Sequence, residues 1–432
     1  MTADATTAPV TDTAHLTDAE TRTSNDPGDD IHYRSPLLDV AGAVPATGPD
    51  LGVADHYGDP LREQREAERG AAVVDRSHRG VIRITGPDRL SWLHSITSQH
   101  LDALPAMRGS EALVLSPHGH VEHHLMIADD GTTTWLDVEP GTTGALLAYL
   151  ASMRFLLRVE PTDATGARSV LSVLGPAAVD AVTSALGPLD HPLPQPGGGA
   201  GGGAEASGDD GDQLALGLYP LAATLSAATQ SAATQSAATG HQDPDVAGTL
   251  VRAMPHGVDL LIPRRELTAT VERLRSTGVT LAGVSTFEAL RVADRRPRLG
   301  TDTDHRTIPH EVGWLSTAVH LNKGCYRGQE TVARVHNLGR PPRRMVLLHL
   351  DGSTVTRGIP VTVDGRVVGF VGTSAMHAEL GPVALALVKR NVADDAALVL
   401  NDPETGEIAA SIDPASGPQQ PVRPAGRPTG TG

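Results

Sequence analysis

The chain has 432 residues, 39% hydrophobic but only 3% aromatic, with 46 glycines, 32 prolines, one cysteine and a formal charge of −16. That length supplies cores for two or three domains, and the glycine and proline content points to added linker or tail sequence. The charge argues against general affinity for a nucleic-acid backbone, a lone cysteine excludes an intrachain disulfide, and no run approaches the roughly 20 apolar residues of a membrane span.

Residues 1 to about 50, rich in Thr, Asp, Ala, Pro and Gly without periodicity, read as a mobile N-terminal tail lacking the basic and apolar segments of a signal peptide. "GVIRITGPDRLSWLHSITSQHL" reads as strand, Gly-Pro break and helix, with Pro87 and Asp88 suited to the first turn. In "TTWLDVEPGTTGALLAYLASMRFLLRVEP" a helix between strands places Leu146, Leu147, Leu150 and Met153 on one face. "SVLSVLGPAAVDAVTSALG" repeats the strand, Gly175-Pro176 and helix pattern and closes at Gly187. A low-complexity insertion spans about 193–245, including "SAATQSAATQSAATG", and interrupts a domain at little entropic cost. "VDLLIPRRELTATVERLRSTG" then gives the third strand-helix unit, so residues 51–344 read as an α+β region of split βαβ units. From 345 to 412 short strand-like runs, with a hairpin turn at Asp364-Gly365, predict a C-terminal all-β barrel or sandwich. Residues 413–432 read as a second mobile tail.

Just before the β region lies "NKGCYRGQETVARVHNLGR", with the single Cys325. Between Thr286 and Arg344 eleven Lys/Arg stand against six Asp/Glu, a local +5 that suits either a solvated basic face or a site for an anionic ligand or cluster. Gly324 and Gly328 permit positive φ or close approach, and Lys323, Arg327 and Arg334 are able to stabilise a thiolate. A nucleophilic cysteine also wants a base, for which His320 and His336 are near in sequence. The opposing reading is a structural cysteine in a tight turn.

"IPHEVGW" followed by "KGCYRGQETVAR" and "RRMVLLHLDG" resembles the YgfZ family, the folate-binding relatives of the glycine-cleavage T-protein. The resemblance extends to "VVDRSHRGVIRITGPDRLSWLHSITS" and "GRVVGFVGTSAMHAELGPVALALVKR", covering about residues 50–400 outside the insertion. It implies a T-protein-like multi-domain fold, with the α+β domains and the C-terminal β-barrel around a central hole that admits tetrahydrofolate. It also implies a role in assembly or repair of iron-sulfur proteins, with a link to iron-sulfur-dependent tRNA modification. Carried over by motif, the functional residue is Cys325, supported by Lys323, Gly324, Tyr326, Arg327, Gly328, Gln329, Glu330 and Arg334. Expected partners are iron-sulfur scaffold or client proteins in the cytoplasm, with neither membrane nor direct nucleic-acid binding. A cluster would be transient and shared, because one thiolate cannot supply the usual four.

Departures from the T-protein pattern are as telling. Where that family carries an Asp-Asp pair, "SPHGHVEHHLMI" has His123 and His124, so the pair itself offers no carboxylate for aminomethyl transfer. Its folate-contacting glutamate corresponds to Pro255 in "MPHGVDLLIP", and its "ARDxLR" stretch keeps only Leu290-Arg291. Candidate folate contacts are Arg291, Trp314 and His123. On a strand His120, Glu122 and His124 would share a face, yet positions two apart lie too far for a comfortable mononuclear metal site. Three functions stay open: an iron-sulfur maturation factor with Cys325 at the edge of a folate cavity, a folate-dependent one-carbon transferase, and a folate-binding interaction protein without chemistry.

Overall fold

A computed structural model describes residues 33–193, 218–223 and 248–416, all within one compact unit that begins at Tyr33. An eleven-stranded sheet carries the α+β region in the order β13-β3-β9-β12-β11-β10-β5-β6-β7-β4-β8. After a separate two-stranded sheet of β1 (Val44–Pro45) and β2 (Ala54–His56), its strands in chain order are β3 (Ala72–Asp75), β4 (Gly80–Thr85), β5 (Arg108–Leu115), β6 (Val121–Asp129), β7 (Thr134–Val138) and β8 (Glu160–Asp163). They continue with β9 (Arg168–Leu174), β10 (Leu218–Ala223), β11 (Leu250–Met254), β12 (Gly257–Pro263) and β13 (Thr280–Ala282). Only β13 and β3 pair in parallel; the other neighbours are antiparallel.

Each half of the sheet is covered by its own helices, as the strand-helix repeats require. On one half, α2 (Arg89–Ile96) and α3 (Thr143–Ser152) bury Trp92, Leu93, Leu146 and Leu150 against β4 to β7. On the other, α4 (Ala178–Leu186) and α5 (Leu267–Ser276) bury Val179, Val182, Val271 and Leu274 against β9 and β12. The predicted Gly187 stop is the C-cap of α4 with φ 97°, a conformation glycine adopts without strain. A further helix, α1 (Pro60–Arg69), opens with Pro60 behind an Asp59 N-cap that accepts from the Arg62 N–H.

The C-terminal strands β14 (Arg343–Leu350), β15 (Pro360–Val363), β16 (Arg366–His377), β17 (Gly381–Lys389), β18 (Leu398–Asp402) and β19 (Gly406–Ile412) close into a barrel. Helix α6 (Val284–Ala293) packs Ala289 and Val292 against Leu347, Val383 and Leu385 of that barrel. The expected T-protein-like combination of α+β region and β-barrel is thus the observed fold.

Two boundaries differ from expectation. The expected tail over 33–50 is ordered: Leu37 is 2% exposed in the core, the Ser35 hydroxyl donates to Asp75, and Asp50 receives Arg298 and His78. Aperiodic sequence can still be held by a few tertiary anchors, which composition does not reveal. Within the expected insertion, residues 218–223 form β10, paired on one side with β5 and on the other with β11, with Tyr219 1% exposed. The expectations for residues 1–32, the repeat at 226–240 and 417–432 fall outside the described residues.

Candidate functional site

The strands and the linking segment after α6 enclose a cavity of about 230 Å³. Its walls combine Phe287, Met254 and Trp314 with a set of buried charges. Six arginines reach it, Arg76, Arg79, Arg291, Arg295, Arg296 and Arg298, against the carboxylates of Glu111, Asp137, Glu139 and Asp259. Such a cavity favours an anionic, partly flat ligand.

Much of that charge is spent internally. Arg298 Nη1 reaches Asp50 Oδ2 at 2.9 Å and Glu288 Oε1 at 3.0 Å, and its Nη2 lies 2.8 Å from Glu139 Oε2. Arg79 meets Asp137 and Glu139, and Arg252 meets Asp137 and Asp259. Arg291, a candidate folate contact, lines the cavity, but its guanidinium is satisfied by Glu288, Asp302, Thr373 and the Arg296 carbonyl. Arg76 is less fully compensated: it donates to Ser172 Oγ at 3.1 Å, lies 3.7 Å from Asp259, sits over the Phe287 ring, and has its pKa lowered to about 10 by burial and by Arg79. A guanidinium that the fold leaves under-compensated welcomes an anion.

The hairpin of β5 and β6 supplies the polar centre. His124 pairs with Leu113 in register, and Glu111, two residues along the same face of β5, lies diagonal to it. His124 Nε2 is 2.5 Å from Glu111 Oε1, the Tyr219 hydroxyl is 3.2 Å from Glu111 Oε2, and the His124 ring stacks on Trp314 with centroids 4.7 Å apart. Burial raises the Glu111 pKa, but the hydrogen bond and charge pairing with His124 outweigh it and leave the carboxyl at about 2. A buried carboxylate thus faces the cavity beside His124, from the strand adjacent to the His123-His124 pair. Sequence reasoning passed over Glu111; its signal was a lone acid in the apolar run "GSEALVL". His123, the third candidate folate contact, points away from the cavity, as strand alternation demands, and sits near Tyr149, its pKa lowered by burial. The trio His120, Glu122 and His124 does not converge: Glu122 pairs with Arg327, His124 faces Glu111, and His120 lies in the turn before β6.

The cysteine motif forms a turn leading into α8 (Gln329–Leu338), after the short α7 (Trp314–Thr317). Lys323 is buried, and its ammonium donates to the carbonyls of His94, Thr97 (2.7 Å) and Gln99 (2.9 Å) at the end of α2. It caps orphan carbonyls where the helix dipole favours a cation. Burial brings its pKa down to about 8, which leaves it protonated at neutral pH. Lys323 is thus an anchor and is not free to stabilise a thiolate, while Arg327 is paired with Glu122. Gly328 has φ 81°, and a Cβ there would come 2.5 Å from the Ser116 carbonyl oxygen of the β5-β6 turn. Gly324 has neither a positive φ nor a close neighbour, so its expected backbone role is not seen. Tyr326 is buried with Val332 and Leu115, and burial raises its phenol to about 12. Gln329 donates to the Lys323 carbonyl; Glu330 and Arg334 are exposed. Cys325 itself is exposed and free, and it is not among the residues lining the cavity. Of its suggested bases, His320 lies tilted against His100, and His336 neighbours His310.

Residues 54–193 match the family profile of the GCVT N-terminal domain. The fold is similar to that of the glycine cleavage system aminomethyltransferase T from Bartonella henselae, with a TM-score of 0.66 at 18% identity, covering 87% of this chain and 94% of that one. Residues 54–193 are thus similar to a GCVT N-terminal domain, set within a T-protein-like fold. In sequence the chain is 25% identical to an aminomethyltransferase of Synechococcus sp. (strain WH7803) over 377 residues, 83% of this chain and 91% of the relative. It is equally 25% identical to a chloroplastic protein of Arabidopsis thaliana named as a transferase, and spans 61% of that protein's length. Among the described residues no helix is long and apolar enough to cross a membrane.

Proposed function

We propose that this protein binds a reduced folate in the cavity and serves the assembly or repair of iron-sulfur proteins through the thiol of Cys325. The observation that carries the folate reading is the buried Glu111 carboxylate beside the stacked His124-Trp314 pair. A carboxylate retains acceptor positions for the paired N–H donors of an aminopyrimidinone edge, and flat rings suit a pterin. The under-compensated Arg76 and the surplus of arginine suit the anionic glutamyl tail. Support for the maturation role is the YgfZ-like motif, which presents an exposed thiol on a turn pinned at both ends by Lys323 and Gly328. In a reducing cytoplasm that thiol stays free to share a cluster with a scaffold or client protein, and clients that modify tRNA fall within this reading.

Tetrahydrofolate titration monitored by tryptophan fluorescence tests the first part. Trp314→Phe weakens binding several-fold and Glu111→Gln at least tenfold, since a neutral amide repels one of the ligand's N–H groups. Wild-type affinity in Glu111→Gln refutes the cavity assignment. The second part is tested by cluster transfer to an acceptor apoprotein: Cys325→Ser keeps its folate affinity and loses transfer. Equal transfer by both proteins eliminates the thiol role.

One observation favours a second reading, folate-dependent one-carbon transfer. The Glu111-His124 pair is a base positioned inside the cavity, and relatives are named aminomethyltransferase. Turnover of an aminomethyl donor with tetrahydrofolate, abolished in His124→Gln, selects this reading over the first.

A further inference from the structure

The turn that follows α3 carries the two most exposed large apolar side chains among the described residues. It spans 154–157 and is closed by the Leu157 N–H on the Arg154 carbonyl at 3.1 Å. Phe155 is 79% exposed and Leu156 99%, with Leu157 exposed beside them. Single apolar residues on a surface need no account, but three in succession at a loop tip form a patch that water disfavours. The backbone adds a second cost. Phe155 stands at the first central position of the turn with φ 47°, a left-handed conformation that glycine takes freely and a bulky side chain does not. A turn that served only to join α3 to β8 would place glycine there, so strain that holds an aromatic ring outward points to a use for the ring.

The surroundings of the tip indicate what covers it. Trp92 Nε1 donates to the Met153 carbonyl at 2.8 Å, tying the loop to α2, whose final carbonyls hold Lys323. The Arg327 guanidinium lies 5.8 Å from the centre of the Tyr149 ring, one helical turn before Met153. The Phe155 turn and the Cys325 turn are thus pinned to the same pair of helices, with Leu321 a further exposed apolar residue just ahead of the latter. Neither 149–158 nor 320–328 contains an acid, and the exposed Arg154 guanidinium has no partner among the described residues. Arg158 with Asp88 and Arg327 with Glu122 form pairs open to water, which exchange cheaply for the carboxylates of another molecule. An apolar tip ringed by arginines is complementary to an apolar pocket rimmed by acids. A second copy would set arginine against arginine, and an anionic lipid surface would face the repulsion of a chain with charge −16.

We propose that Phe155, Leu156 and Leu157 dock an acidic partner protein, entering an apolar pocket rimmed by its Asp and Glu side chains beside the Cys325 turn. The inference rests on the maturation reading above and names the surface by which an iron-sulfur scaffold or client is held. Phe155 and Leu156 are the anchors, since a few pocket-filling side chains carry most of the energy of an interface. Arg154, Arg158 and Arg327 steer the approach.

Binding of an acidic apoferredoxin to the full-length chain, followed by fluorescence anisotropy, tests the surface. The expected result is a one-to-one complex that Leu156→Glu weakens about tenfold or more. Arg154→Glu weakens it at low salt and less so at high salt. Phe155→Gly weakens it too, yet melts no lower than wild type because it relieves the turn. Leu156 touches almost nothing, so Leu156→Glu folds, and thermal melting confirms it. Val367→Glu, at an exposed apolar residue of the barrel, leaves the affinity unchanged. Absence of a complex, or equal affinity in wild type and Leu156→Glu, overturns the proposal. So does cosedimentation with vesicles of equal parts phosphatidylglycerol and phosphatidylcholine, or self-association in the ultracentrifuge, where Leu156→Glu abolishes it; these assign the tip to a lipid surface or a second copy. Failure of the maturation reading looks different: docking is lost in Leu156→Glu while Cys325→Ser transfers a cluster as well as wild type, so the docking surface stands and the thiol role falls.

Discussion

Arg298→Ala lowers the stability of the folded chain by about 3–5 kcal/mol, the usual result of removing one partner from a buried ion pair. Arg298 is 6% exposed and joins three separate parts of the fold: Asp50 in the N-terminal segment, Glu139 at the end of β7 and Glu288 in α6. Truncation leaves those carboxylates buried with fewer positive partners, and the cost of their desolvation is then uncompensated. The same substitution changes acid unfolding. Burial raises the pKa values of Asp50 and Glu139, but Arg298, with His78 at Asp50 and Arg79 at Glu139, more than offsets it and holds both well below the carboxylate range. Folded pKa values below the unfolded ones mean stability that is complete above the unfolded value, about pH 4, and is lost as pH falls further. In Arg298→Ala the depression is relieved and the acid-unfolding midpoint moves to higher pH. Urea unfolding at neutral pH and circular dichroism against pH measure both effects; an unchanged urea midpoint would falsify the central role of this arginine.

The second large effect belongs to the cysteine motif. Lys323→Met costs about 3 kcal/mol or more, because a buried carbonyl deprived of its donor costs about 1–3 kcal/mol and Lys323 serves three. The methylene stem is kept, so the loss is one of hydrogen bonds and charge at the end of α2. Without that pin, the turn from Lys323 to Gly328 is held at one end only. Amide hydrogen exchange over residues 322–328 therefore quickens more than in the sheet, and under the proposed maturation role cluster transfer through Cys325 falls although the thiol remains. If the variant is as stable as wild type, with unaltered exchange, the anchor has no mechanical role.

The strand-helix units were legible because they obey local rules. Gly-Pro breaks mark the starts of α2 and α4, apolar residues recur along α3 and α5, and Asp364-Gly365 turns β15 into β16. The ordered stretch at 33–50 and strand β10 were not legible, since each is held by partners distant in sequence: Asp50 by Arg298, and β10 by β5 and β11. The motif at Cys325 was visible as a string of residue types, yet the task of each member was not. Lys323 reads as a cation near a thiol, and only the position of α2 converts it into a cap.

By itself the sequence determined the succession of elements, the barrel at the C-terminal end and the peculiarity of the single cysteine, because periodicity, turn residues and composition act over a few positions. Tertiary structure alone decided that the buried Glu111 carboxylate stands against His124 from the adjacent strand, that His124 and not His123 faces the cavity, and that Cys325 is exposed and outside the cavity lining. The physical reason is that charge pairing and cavity walls depend on which strands become neighbours, and strand order in this sheet joins segments more than one hundred residues apart, as Tyr219 and Glu111 show.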